Sequence, residues 1–386
     1  MKHTHFTKRK FLEGIGKSLL QELFTAADSA ESATTSTPSP ELPDKDYFDA
    51  VAKLAMNPEQ LPDSIQEAFY AIEEMSTVEG QDRLQSALDS EGLQLELPED
   101  STLGDFATRV FLKHPSLFAT KHNEQRMFRL SAFEYHVSKE PEDRSETFQE
   151  PDKEQLNRLC SDLDDWFRTH NRGDQTTRIS PHFIDGEYWF LIRHGNTFAR
   201  TTKIERRTTD VLHYRPAKDD VVVYSPKRDE IRINAQTKGE KNLYRQVFGW
   251  RLFGDSEHFS VPRTYTLKPL LELGVDSLEV DGVNGLSKVV LRAYETSKQS
   301  RFKEVDIKKA TDIFECAREQ AGNLHPLAKL ESLNRAVFDL YFEGSKKPRS
   351  IHITPPNVLK LSRHCDAATV HHWLQLRGFK IGKDCA

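Results

Sequence analysis

The apolar positions repeat at helical spacing near the N-terminus. Phe11, Leu12, Ile15, Leu19, Leu20, Leu23 and Phe24 fall on one stripe, which predicts an amphipathic helix within residues 1–25. The basic residues Lys8-Arg9-Lys10 before it loosely resemble a twin-arginine export signal. Glu13, Lys17, Gln21 and Glu22 interrupt the apolar run that such a signal needs. Residues 26–43 are rich in Ala, Ser, Thr, Pro and Glu and read as a disordered linker.

Helical periodicity resumes over residues 44–125. Asp46 is placed to open a helix through Met56. Pro62-Asp63 open a second, carrying Ile65, Phe69, Ile72 and Met75. A third is predicted near Gln81–Leu88, and Ser101-Thr102 precede a stripe of Phe106, Val110 and Phe111. After a predicted strand, Met127–His136, a helix is expected over 151–171, with Pro151 at its start and Gly173 beyond its end.

The period then shortens to two. Ser180–Ile184 and Tyr188–Arg193 flank Asp185-Gly186-Glu187, a hairpin signal. Val221–Tyr224 and Glu230–Ala235 read as strands joined by a turn at Ser225–Asp229, and Lys238–Phe253 as a helix. Farther on, Ser287–Tyr294 predicts a strand and Ile307–Gln320 a helix. Ala336–Phe342 with Ile351–Thr354 predicts a hairpin, and Asp366–Leu376 a last short helix closed by Gly378. The expected fold class is α+β: an acidic helical N-terminal module, then a mixed α/β body with β-hairpins and a short C-terminal helix. The expected domains are 44–125, 126–266 and 267–386 after the N-terminal helix and linker, the last with a helix-turn-helix-like end.

Charge sharpens this division. The net charge is −6, but residues 19–166 carry 12 basic and 32 acidic side chains, and residues 167–263 carry 18 basic and 12 acidic. The acidic front suits a protein partner, through residues 44–125. The basic rear, residues 167–386, suits DNA or RNA. Apolar residues make up 37% of the chain, and no run approaches the length of a membrane span, so no membrane partner is expected. The four cysteines form no Cys-x-x-Cys pair, which points to a reducing, cytoplasmic setting. His352, His364, Cys365, His371, His372 and Cys385 crowd the C-terminus at spacings that fit no metal template.

Three constellations carry possible chemistry. Leu191-Ile192-Arg193-His194-Gly195 resembles the Arg-His-Gly signature of histidine phosphatases. The resemblance makes His194 the nucleophile and Arg193 the phosphoryl-binding group. A second His-Gly, which that family has, does not occur in the chain.

Asp219-Asp220 on one strand and Gln236-Thr237-Lys238 after the next are similar to the catalytic hairpin of PD-(D/E)xK nucleases. That likeness implies Mg²⁺ held by Asp220, a weaker ligand in Gln236 and a positioning base in Lys238, with Glu154 as a further acid. No other cofactor is called for.

Residues 359–379 loosely resemble the second half of a helix-turn-helix. Thr369, His371 and Gln375 would then face a groove, with Lys360, Arg363 and Arg377 toward phosphates. Arg206, Arg207 and Arg215, interleaved with Tyr214, form a further basic stretch suited to a nucleic-acid backbone. The leading expectation is an accessory or adaptor protein without catalytic activity, its acidic helices binding a protein and its basic rear contacting nucleic acid. A Mg²⁺-dependent nuclease is the alternative and a histidine-phosphatase-like hydrolase the second alternative.

Overall fold

A computed structural model describes residues 5–28, 38–57, 61–205, 207–262, 265–297, 302, 304–322, 325–345, 347–361 and 367–381. The expected linker therefore falls partly, and Arg206, Arg363, His364, Cys365, Asp366 and Cys385 fall wholly, outside the described residues. The chain divides into two units, Met1–Met127 and Phe128–Ala386.

The first unit is helical. Its elements are α1 (Arg9–Ile15), α2 (Lys17–Asp28), α3 (Asp44–Ala55), α4 (Asp63–Met75), α5 (Val78–Ser90), α6 (Leu103–Lys113) and α7 (Pro115–Phe128). The side chains of Thr77 and Thr102 cap α5 and α6 by accepting the Gly80 and Asp105 N–H groups. The N-terminal helical stripe does not stand apart. Leu12, Ile15, Leu20 and Phe24 share one core with Val51, Phe69, Ile72, Leu84 and Phe106. Burial of an apolar stripe is the main stabilisation open to such short helices.

The second unit is built on one large sheet. Its elements in chain order are β1 (Ala132–Val137), α8 (Lys153–Thr169), β2 (Arg178–Ile184), β3 (Glu187–Gly195), β4 (Ala199–Glu205), β5 (Thr208–Tyr214), β6 (Ala217–Ser225), β7 (Glu230–Asn234), α9 (Lys238–Phe253), β8 (Val261–Pro262), α10 (Lys268–Glu272), β9 (Leu286–Ser297), β10 (Val305–Lys309), α11 (Ile313–Ala321), β11 (Arg335–Phe342), β12 (Arg349–Thr354), β13 (Val358–Leu361) and α12 (Ala367–Leu376). The sheet runs β10-β9-β11-β12-β13-β1-β7-β6-β3-β2, with β8 beside β1. Its strands pair antiparallel. The division expected at residue 266 falls within this unit, because β1 bridges the two halves, pairing with β7 on one side and β13 on the other. The architecture is α+β, and no described helix is long and apolar enough to cross a membrane.

Local chemistry explains the elements around β3 and β6. Asp185 and Gly186 both have positive φ, 51° and 77°, which the two-residue turn between β2 and β3 requires. Capping boxes start α8 (Asp152 with Gln155) and α9 (Thr237 with Glu240). Both helices cover one face of β3, β6 and β7: Leu159, Leu163, Phe167, Tyr244 and Phe248 pack on Phe190, Ile192, Val222 and Ile233.

Three expected elements differ. The single N-terminal helix is two, α1 and α2, parted at Gly16, whose φ of 87° ends the first. The sequence predicts one helix over residues 307–320, but Val305–Lys309 is strand β10 and the helix starts only at Ile313. Val305 and Ile307 alternate with charged residues, and Asp312 caps α11 by accepting the Phe314 and Glu315 N–H groups. The strand expected from Met127 begins at Ala132, because α7 continues through Phe128.

Candidate functional site

The core under α8 and α9 changes character at the ends of β3 and β6. Period-two alternation carries the inward face of β6 from Val222 to Asp220 and Lys218, and that of β3 from Ile192 to His194. These polar groups meet Glu240 and Tyr244 from α9 and Arg172 from the segment after α8.

Asp220 is 1% exposed. Its carboxylate accepts hydrogen bonds from Tyr244 Oη (2.8 Å), His194 Nε2 (3.0 Å) and Lys218 Nζ (3.1 Å to Oδ1). Glu240, fully buried, accepts from Arg172 Nη1 (2.6 Å), Lys218 Nζ (2.8 Å) and the Thr237 N–H (2.8 Å). His194 stacks on Phe167 with ring centroids 4.0 Å apart, and its Nδ1 faces the Gly195 carbonyl at 2.8 Å. The network therefore sets the cations of Lys218 and Arg172 against the carboxylates of Asp220 and Glu240.

Electrostatics follow from this pairing. Burial pushes the Glu240 carboxyl up, but the Lys218 ammonium and the Thr237 N–H outweigh it and hold the group below its ordinary value. Burial, reinforced by the Asp220 charge, pushes the Tyr244 phenol well above its usual range.

The network holds His194 and Asp220, the residues on which the two enzymatic expectations rest. His194 is 1% exposed and both its ring nitrogens face acceptors, so neither is presented to a phosphoryl group. Arg193 points to the opposite face of β3 and forms a two-pronged ion pair with Asp219. Gln236 and Lys238 are exposed, and neither is among the groups bonded to Asp220. The acid–Gln–Lys set of the nuclease resemblance is thus not assembled. Glu154 is also exposed, paired with Arg158. His194, Asp220 and Glu240 do bring ligating atoms within 4.8 Å of one another. Yet the Lys218 ammonium already bridges the two carboxylates, 3.1 Å from Asp220 and 2.8 Å from Glu240, and a divalent ion beside it would meet like charge. These residues do not fit Mg²⁺.

Beyond this network the chain leaves the sheet. β3 and β6 are paired neighbours up to Gly195 and Ala217, and the residues between them form a separate two-stranded ribbon of β4 and β5. Arg200, Thr201, Thr202 and Ile204 on β4, and Thr209, Asp210, Leu212, His213 and Tyr214 on β5, are exposed. Cross-strand pairs alternate between the faces, with Thr201 opposite Leu212 and Arg200 opposite His213, so both faces meet solvent. Ile204 is 76% and Phe198 62% exposed.

The root of the ribbon is fixed. Arg215 Nη1 donates to the carbonyls of Asn171 (2.9 Å) and Asn196 (2.7 Å), and Arg172 reaches Glu240 below. Gly195 is required here: a Cβ would lie 2.4 Å from the Arg172 carbonyl oxygen and 2.6 Å from Arg215 Cδ. Of the basic residues read as one stretch, Arg207 is exposed at the ribbon tip. Arg215 is committed to the root.

The C-terminal helix has another use than the expected one. Among the described residues the element before α12 is strand β13, not the first helix of a helix-turn-helix. Trp373 packs on Phe338 and Phe379, and its Nε1 donates to the Glu279 carbonyl. Arg377 donates to the Glu279 and Asp281 carbonyls, which holds it away from phosphates. His371 sits edge-on to Tyr135 and Thr369 is half-buried, whereas Gln375 and Lys360 are exposed.

Sequence reasoning missed Glu240, Tyr244 and Arg172. The Thr237-x-x-Glu240 spacing is a legible capping box, and Lys218-x-Asp220 places both side chains on one strand face. No protein-family model matches the chain, and no curated protein matches it.

Proposed function

We propose that the protein is a non-catalytic nucleic-acid-binding adaptor whose β4–β5 ribbon is the contacting element. The observation that carries this reading is a ribbon exposed on both faces and rooted in a buried, charge-balanced network. An isolated two-stranded ribbon is marginal in water and gains stability from a surface to lie on. The major groove of B-DNA is wide enough to admit a two-stranded ribbon.

Charge supports the same partner. Residues 196–216 carry five basic and two acidic side chains. Arg200 and Arg207 are exposed and would meet phosphates, Lys203 would exchange its Asp210 partner (3.8 Å) for one, and Tyr214, Leu212 and Phe198 would offer apolar contact to bases or sugars. The acidic helical unit repels phosphate and is left for a protein partner, in keeping with its 44–125 acidic surface.

Fluorescence anisotropy of a labelled DNA duplex, titrated with the full chain at several salt concentrations, tests the proposal. Three phosphate contacts give a slope of about −3 in log affinity against log salt. The combined variant Arg200→Ala/Lys203→Ala/Arg207→Ala should flatten the slope and weaken binding at least about tenfold at low salt. Absence of salt-dependent binding to DNA and RNA, or binding indifferent to the triple variant, overturns it.

A further inference from the structure

The far end of the sheet holds a second feature, independent of the ribbon. β10, β9, β11 and β12 border a cavity of about 390 Å³. That volume lies in the range of small-molecule sites, about 300–1,000 Å³.

Its lining is sorted by chemistry. Arg292 is neutralised by Asp339 at 3.0 Å. Arg335 is not paired in this way: its Nη2 donates to His352 Nδ1 at 2.5 Å. Arg has no acceptor, so Nδ1 must be the unprotonated nitrogen, and the neutral ring keeps its proton on Nε2. Arg335 thus spends one donor on an uncharged partner and keeps its positive charge in the cavity. Lys309 adds a second cation from the edge strand, and Ser350 lies on the same wall. Ile307, Val337 and Ala293 form an apolar side, beside the Glu295 carboxylate.

We propose that this cavity binds an organic phosphate monoester of mononucleotide size. The terminal phosphate oxygens would take the Arg335 guanidinium and the Lys309 ammonium. Such charge-assisted donors recognise a multiply charged oxyanion better than a single carboxylate. The apolar side takes the flat face of a base against Ile307 and Val337. Glu295 accepts hydrogen bonds from hydroxyl or amino groups of the ligand. Burial, together with the charges of Arg335 and Lys360, holds the His352 imidazole down at about 4, so the ring stays neutral and the donor pattern holds at physiological pH.

Isothermal titration calorimetry on the full chain tests this, with adenosine 5′-monophosphate, adenosine and inorganic phosphate as probes. The monophosphate should bind one per chain, with adenosine and inorganic phosphate each weaker by about tenfold or more. Arg335→Gln and, separately, Lys309→Gln should each weaken the monophosphate by about tenfold. Lys309 is exposed on an edge strand, so its replacement leaves the fold intact and keeps the test decisive if the Arg335 variant fails to fold. No heat with the monophosphate, equal affinity for inorganic phosphate, or unchanged affinity in the Lys309 variant overturns the proposal.

Discussion

Lys218 Nζ lies 2.8 Å from Glu240 Oε1, joining the first turn of α9 to the strand that leads back from the ribbon. Both carboxylates that Lys218 serves are buried, so its charge is what makes their burial tolerable. Lys218→Met preserves the aliphatic stem and removes only the ammonium. It should cost about 3 kcal/mol, because Asp220 and Glu240 keep partners in Tyr244 and Arg172 but lose their shared cation. The shift of the urea midpoint measures the loss. An unchanged midpoint would show that the lysine contributes nothing to the network.

Gly195 marks the point where the ribbon leaves the sheet. A methyl group there meets the Arg172 carbonyl and the Arg215 stem, neither of which is a loose side-chain tip. Gly195→Ala should destabilise by about 1–3 kcal/mol. It should also free the ribbon root, which protease cleavage within residues 197–214 would report. Wild-type stability with wild-type protease resistance would refute the close approach.

The α9 capping box is testable on its own. Thr237 Oγ1 accepts the Glu240 N–H, and Glu240 Oε2 accepts the Thr237 N–H. Thr237→Ala should lose about 1 kcal/mol, with Thr237→Ser close to the original in thermal unfolding. Equal losses in both would point to the Thr methyl group instead.

These sites show how far sequence reasoning reached. The helix Lys238–Phe253, the Asp185-Gly186 turn and the β11–β12 hairpin were legible because their signals are local: a cap, a positive-φ turn, an alternation. The candidate chemistry was half legible. His194 and Asp220 were singled out, and they do meet, but as partners of one another rather than as members of two different active sites. Their meeting depends on β3 and β6 pairing across the inserted ribbon, a contact between residues 26 apart in sequence. The lysine expected beside Asp220 was Lys238, near in the hairpin pattern; the lysine found there is Lys218, two residues away on the same strand face. The ribbon itself was hidden because Thr-rich strands exposed on both faces lack hydrophobic alternation.

Glu134 gives the acid limb of stability. The hydrogen bond from His136 holds its carboxyl down at about 2, helped by Lys241 and opposed by burial. A depressed carboxyl stabilises the fold above its ordinary value of 4.5, and that contribution is lost as pH falls toward about 2. Glu134→Gln should therefore lower stability at neutral pH and shallow the decline between those two values. Parallel wild-type and variant curves in acid denaturation would contradict the pairing.

His352 acts in a different window. Its imidazole sits at about 4 in the folded chain against 6.5 ordinarily, because burial and then the Arg335 and Lys360 charges disfavour a second cation. Between these values the unfolded chain binds the proton and the folded chain does not, so unfolding takes up protons as pH falls. The stability tied to His352 is complete above 6.5, declines from 6.5 to about 4, and falls no further below. His352→Asn retains an acceptor for Arg335 and cannot titrate, so its stability should not show that decline. The difference between wild-type and variant unfolding free energies should change across this window and nowhere else. A wild-type imidazole proton resonance that titrates near 6.5 would place the ring in solvent and remove the effect.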